Sequence, residues 1–230
     1  MGSAFSLALG LVAGLDPEFL SIVALSLRVS LTATCIAFAL AFPCAVLIAT
    51  QHFPGRGGLL VLVNALQGLP PVVVGLVLYL LLSRSGPLGF LGLLFTPGGM
   101  ILAQTVLVFP LALALQHRVA QGMWSDFGDA LKIDGAGFPI IVRTLLGMAR
   151  VPLATIFLTC FGRAIAEVGA IMIVGGNIRG FTRSMTTAIA LETSKGELPL
   201  ALALGMVLVG LTILASLTVL LLARATRKEP

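Results

Sequence analysis

Charge is scarce in this chain. Charged side chains make up only 10% of its 230 residues, while 58% are hydrophobic. So few charges, with a mean hydropathy of +1.12, exclude a soluble domain and imply a polytopic helical membrane protein. Cysteine is rare too: Cys35, Cys44 and Cys160 all fall inside apolar runs, with neither metal-ligand spacing nor the pattern of a disulfide framework, and read as small packing residues. Of the three lysines none follows a glycine, so the phosphate loop Gly-x-x-x-x-Gly-Lys-Ser/Thr is missing. The chain cannot hydrolyse ATP through such a loop. Its two histidines, His52 and His117, stand at the ends of apolar spans, where they read as interfacial, and no nucleophile–base pair is visible. Lysines and arginines do not cluster among aromatics, which excludes a nucleic-acid surface. No internal repeat and no low-complexity tract occurs.

What is there is a series of apolar spans in a single domain covering residues 1–230, with spans near 22–49, 59–82, 100–116, 151–175 and 198–223. The fold class is therefore all-α, about five transmembrane helices. The first apolar run, Ala4 to Leu15, is too short to cross and lacks the basic flank and cleavage site of a secretory signal, so it is expected to lie in the interface. In the first span Ala33, Ala37, Ala41, Ala45 and Ala49 recur every four residues, a row that lets another helix approach closely. Arg28 lies near the outer end of that span, where it can snorkel. Pro70 and Pro71 remove two backbone donors and predict a kink or break in the second span; Pro110 predicts a kink in the third. Between these spans, Leu88–Phe95 is expected to form a half-helix, and Asn177 to Glu197 a polar connection.

The basic residues orient the chain. With the loop after the third span inside, the inner segments collect Arg56, Arg118, Lys132, Arg143, Arg150, Arg224, Arg227 and Lys228, against Arg84, Arg179, Arg183 and Lys195 outside. Positive charge concentrates on the cytoplasmic side, which puts the C-terminus there and the N-terminal run on the outer face.

The longest polar interruption on that inner side is the loop 122–150, with its polar core at Asp126 to Arg150. Asp126 is expected to cap a short amphipathic helix running to Ile133, with Asp129 at its third position. Gly135 stops that helix, and Pro139 suits the first turn of a second one, Ile140 to Leu146. The pattern fits an ordinary helix–turn–helix connection. It also resembles the Glu-Ala-Ala-x-x-x-Gly loop of ABC-transporter permeases, through Asp129-Ala130-Leu131, three residues, then Gly135. Aspartate replaces the glutamate, and Leu145-Leu146-Gly147-Met148 stands near the place of the usual Ile-x-Leu-Pro. The resemblance implies a coupling element that docks into a separate ATPase, formed by Asp126, Asp129, Ala130, Leu131 and Gly135.

Two charges inside the fourth span mark the other informative segment, Phe161-Gly162-Arg163-Ala164-Ile165-Ala166-Glu167-Val168-Gly169-Ala170. A charge at the centre of a span costs about 2.5–3.5 kcal/mol on insertion scales and is rarely idle. Four residues apart on one helix face, Arg163 and Glu167 can neutralise each other. Two readings stay open: a structural ion pair, and a pair lining a pathway between helices. The segment Val174–Ile189, with Thr182-Arg183-Ser184-Met185-Thr186-Thr187-Ala188-Ile189, follows.

Together with Ser26–Thr34 near the start, these blocks closely resemble the permease subunit of tungstate ABC importers, with molybdate and sulfate permeases as nearby relatives. The resemblance covers most of the chain. It implies a type I importer permease fold and a homodimer in the prokaryotic inner membrane, with lipid around it. It further implies two cytoplasmic ABC ATPase subunits that carry ATP and Mg, and an extracytoplasmic oxyanion-binding protein. No cofactor, metal or catalytic residue is expected on this chain. Where a translocation pathway runs, Arg163, Glu167, Asn177, Thr182 and Arg183 are its candidate residues, the last two at its entrance, because arginines and hydroxyls suit tetrahedral oxyanions. The alternative for the outer basic residues is outer-leaflet anchoring or docking of the binding protein. A self-sufficient carrier is the competing class, but five spans without a repeat lack the paired halves such carriers use; a non-transporting scaffold would leave the intramembrane charges idle.

Overall fold

The computed structural model describes residues 2–14 and 16–226, with side chains for 6–14 and 16–221. Leu15, at the end of the first apolar run, and Arg227 and Lys228 of the basic tail lie outside the described residues, as does the side chain of Arg224. Ten α-helices occur among the described residues: α1 (Gly2–Gly14), α2 (Pro17–Thr50), α3 (Arg56–Leu66), α4 (Pro71–Leu82), α5 (Pro97–Ile133), α6 (Phe138–Met148), α7 (Arg150–Ile165), α8 (Gly169–Gly175), α9 (Met185–Lys195) and α10 (Leu198–Thr226).

Two long helices, α2 and α5, form the axis. Asp16 starts α2 by accepting hydrogen bonds on Oδ1 from the backbone of Glu18 (2.9 Å) and Phe19 (3.0 Å), with Pro17 in the first turn. Thr96 does the same for α5, accepting from Gly99 N at 3.2 Å beside Pro97. The alanine row of α2 is buried and, from Ala37 onward, shares a core with Val108, Ala112 and Leu113 of α5, so the small side chains serve as the close-packing ridge their spacing predicts. A second core joins α1, the start of α2, the end of α7, α9 and α10 around Phe19, Phe161, Met185 and Leu204.

Among the described residues three helices are long and apolar enough to cross a membrane, and the number reaches five if each of two bent pairs is taken as one span. The first pair, α3 and α4, breaks at Gln67–Pro70 with a 99° bend, where Pro71 opens the second half. The second pair is α6 and α7, bent by 82°. Leucines and valines of α4 and α10, such as Leu76, Leu80, Leu214 and Leu221, point outward. In water this would be a large sticky patch; in a bilayer such a surface is free to face lipid or another apolar helix.

Four expectations change. No cap stands at Asp126, because α5 continues without a break through Gly122 and Gly128 to Ile133. Asp129 therefore sits near a helix C-terminus, where the dipole disfavours it, and Lys132 compensates through an exposed ion pair at 2.9 Å. The span 151–175 is not one helix: it is interrupted at residues 166–168 between α7 and α8. Leu88–Phe95 contains only a 3-10 turn, Gly89–Leu91. Finally, the polar connection 177–197 includes helix α9, which Ser184 and Thr187 start with reciprocal side-chain-to-backbone hydrogen bonds.

Candidate functional site

The interruption between α7 and α8 is where polar groups gather. Breaking a helix frees backbone groups that lipid cannot satisfy, so the protein must supply partners. Gln104, fully buried on α5, donates from Nε2 to the carbonyl of Ala164 at 2.7 Å and to Ser30 Oγ at 3.2 Å. Thr186 donates to the carbonyl of Glu167 at 2.7 Å, and Ser26 Oγ accepts from the backbone N–H of Met185 at 2.7 Å. The Glu167 side chain spans the gap itself: Oε1 accepts from the N–H of Ala170, the start of α8, and Oε2 from Arg163 Nη1, both at 3.2 Å.

Arg163 and Glu167 are thus paired, as their spacing predicts, but across a helix end rather than along one continuous face. The two differ in surroundings. The Glu167 side chain is 5% exposed and the Arg163 side chain 48%. Glu167 is an internal anchor for two helix ends, whereas Arg163 turns its guanidinium outward, on the same face of α7 as exposed Thr159. Close backbone approach holds α8 in position: a Cβ on Gly75 of α4 would lie 2.8 Å from the Cα of Ala170, and one on Gly169 would lie 2.8 Å from Val72.

Past α8 the chain makes a compact loop. Gly176 and Asn177 both adopt the left-handed conformation, at φ +70° and +51°. Asn177 donates from Nδ2 to the carbonyl of Thr187 at 3.3 Å, leaving its buried Oδ1 without a partner. The Thr182 hydroxyl is buried and committed on both sides, donating to Gly175 O at 2.6 Å and accepting from Ile178 N at 2.9 Å. Arg183 pairs with Glu192 of α9 at 3.3 Å, and Lys195 reaches the same oxygen at 3.3 Å. Arg179, fully exposed, makes a two-pronged ion pair with Glu18, whose hydrogen bonds hold the guanidinium pKa above its ordinary value. Beside this loop is a cleft of about 340 Å³, lined by Ser21, Leu25 and Arg28 from α2 and by Phe181 and Arg183 from the loop.

At the other end, Gly135 has φ +67°, which ends α5 by donating to Lys132 O at 3.1 Å. The N–H of Ala136 donates to Leu131 O, and Pro139 sits in the first turn of α6. Phe127, Ile133, Phe138 and Ile140 are exposed around this corner, and Asp126, Asp129 and Ala130 are exposed with them; Leu131 is half-buried. Among the described residues no group of three or more His, Cys, Asp or Glu is placed to hold a metal ion.

Sequence reasoning found the charges but not the neutral polar partners. Gln104 and the hydroxyls of Ser26 and Ser30 lie in largely apolar spans, and that polarity was the available signal. Only the fold shows that they serve the ends of a different helix.

Residues 24–228 match the model of the family described as binding-protein-dependent transport system inner membrane component. A tungstate uptake system permease protein of Peptoclostridium acidaminophilum is 42% identical over 204 residues, covering 89% of this chain and 90% of that protein. The tungstate uptake system permease protein of Campylobacter jejuni is 41% identical over 64% of this chain and 62% of its own length. A molybdenum transport system permease protein of Escherichia coli is 30% identical over 79% of this chain and 83% of its own.

Proposed function

The chain belongs to the family of binding-protein-dependent transport system inner membrane components, and from that premise we propose that it is the membrane-spanning subunit of an ATP-driven importer of tungstate. It is a multi-pass inner-membrane transport permease. The observation that carries the substrate is the difference in identity, 42% and 41% to two tungstate permeases against 30% to a molybdenum permease. Molybdate and sulfate stand as the chemical neighbours, since both are tetrahedral divalent oxyanions.

The division of labour follows from what the residues can do. Without a phosphate loop, ATP and Mg belong on two separate cytoplasmic ATPase subunits. The exposed corner around Gly135 is the coupling element: Asp126, Asp129, Ala130 and Leu131 enter the ATPase, and the αL turn aims α6 back to the membrane. Its exposed Ile133 and Phe138 offer the apolar contact that a docking helix needs. Two copies of the chain form the pathway between them, with the outward guanidinium of Arg163 along it, anchored through Glu167. Asn177, Thr182 and Arg183 shape its outer mouth, where a secreted binding protein delivers the anion; the C-terminus lies in the cytoplasm.

The test is reconstitution. Proteoliposomes holding the permease, its ATPase and its binding protein should hydrolyse ATP in response to loaded binding protein and accumulate tungstate in preference to molybdate and sulfate. Equal uptake of all three oxyanions would overturn the substrate. Tungstate flux without the ATPase would overturn the ATP-driven reading.

A further inference from the structure

A second concentration of unpartnered polar groups lies far from the helix break, at the end of α2 where the chain turns into α3. A cleft of about 200 Å³ opens there between α2, α3 and α5, with Asn64, His117, Arg118 and Gln121 as its polar lining. His117 is only 5% exposed, and its Nε2 has no hydrogen-bond partner. Buried polar atoms are nearly always satisfied, and an orphan points to a missing partner. Two more orphans flank the adjoining turn, between the lining residues Ile48 and Leu60 in sequence: Oγ1 of Thr50, the last residue of α2, and Nε of Arg56, the first of α3.

The charge around these atoms has one sign. The guanidinium groups of Arg56 and Arg118 both act electrostatically on His117. Neither is in an ion pair among the described residues, unlike Arg163, Arg179 and Arg183, each of which has a carboxylate. Two uncompensated guanidiniums exclude a cation. The ring N–H of His117, the amides of Asn64 and Gln121 and the forked guanidinium of Arg118 are instead a donor set that tetrahedral oxyanions take. The volume admits one such group with a few waters.

We propose that the cleft between α2, α3 and α5 binds a tetrahedral oxyanion, held by His117 and Arg118, with Arg56 adding positive charge nearby. Such a group comes from two sources: the phosphate of an anionic lipid, which basic pockets at helix ends recruit, or a free oxyanion of the kind transported. The site stands apart from the Arg163–Glu167 pair. Its position on the cytoplasmic side rests on the orientation proposed above, but its binding does not.

The experiment uses the full chain in nanodiscs, without ATPase or binding protein, so that a failed transport reading cannot be mistaken for a failed site. In phosphatidylcholine nanodiscs, tungstate and inorganic phosphate are titrated calorimetrically. In a second arm, retention of phosphatidylglycerol against phosphatidylcholine is measured by native mass spectrometry. At least one probe is expected to bind saturably, with affinity falling tenfold or more in Arg118→Gln and in His117→Gln and unchanged in Arg84→Gln, in the connection between α4 and α5. Arg118 is exposed, so its substitution leaves the fold intact even where that of His117 does not. Binding in the first arm identifies a free anion, and binding confined to the second a lipid headgroup. No saturable binding of any probe, or binding that survives both substitutions, overturns the proposal.

Discussion

Gln104 on α5 closes the open end of α7, its amide nitrogen 2.7 Å from the carbonyl oxygen of Ala164, a residue 60 positions away in sequence. Beside the backbone N–H of Glu167, which reaches the same oxygen at 3.1 Å, that contact helps a helix stop inside an apolar layer. The carbonyls freed at a helix end cannot be left to lipid, and a buried neutral amide satisfies one without importing a charge.

Gln104→Leu keeps the volume but removes the donor, leaving Ala164 O and Ser30 without that partner. It should lower stability by about 1–2 kcal/mol, the range for a buried polar group left unpaired or a hydrogen bond lost within a membrane protein. Thermal unfolding in detergent measures this. A Tm equal to that of the parent would show that water or another side chain takes over the role.

Glu167→Gln and Glu167→Ala separate the two jobs of this carboxyl. Glutamine keeps an acceptor for the N–H of Ala170 but gives Arg163 no charge, and since Arg163 is half exposed the stability cost should be about 1 kcal/mol or less. Alanine loses both contacts and should cost several-fold more. Transport by Glu167→Gln is expected to fall at least tenfold while dimer assembly persists. The double change of Arg163 and Glu167 to glutamine should restore stability without restoring transport. Full recovery of transport in the double variant would reduce the pair to a structural one.

Arg183→Gln strips Glu192 of its buried partner and leaves only the half-exposed Lys195. The loss should be about 2–3 kcal/mol, somewhat below that of breaking a fully buried pair because Lys195 remains. Arg183→Lys keeps the charge but not the fork and should recover most of that stability. Oxyanion uptake with the binding protein docked should nevertheless fall in both variants, since both alter the cleft beside Arg28. Wild-type uptake by Arg183→Lys would remove the arginine from the entrance.

Gly135→Val forces a β-branched residue to φ +67°, at a local cost of about 1–2 kcal/mol, and turns α6 away from its present direction. Membrane insertion should survive, because the flanking helices are unchanged. ATP hydrolysis should continue without matching oxyanion uptake, read as a raised ratio of ATP consumed per anion in proteoliposomes. Wild-type coupling would place the contact with the ATPase elsewhere.

Composition and hydrophobic length alone determined that this chain is an all-α membrane protein. The reason is simple: a bilayer permits few backbone solutions, so about twenty apolar residues and a polar loop already specify a span. The alanine row of α2, the break at Pro70–Pro71 and the turn at Gly135 were equally legible. Each depends on local chemistry, namely small side chains at helical spacing, missing backbone donors and the left-handed freedom of glycine. The helical continuity from Pro97 to Ile133 was not legible, because Asp126 has the chemistry of a cap and nothing nearby in sequence says that α5 continues past it. Nor was the interruption at Glu167. No proline or left-handed glycine marks residues 166–168, and the break exists because Gln104, Thr186 and Glu167 itself can satisfy the groups it frees. Those partners come from α5, from the start of α9 and from the break itself. Only tertiary structure brings them together, so only tertiary structure could decide where the helix ends.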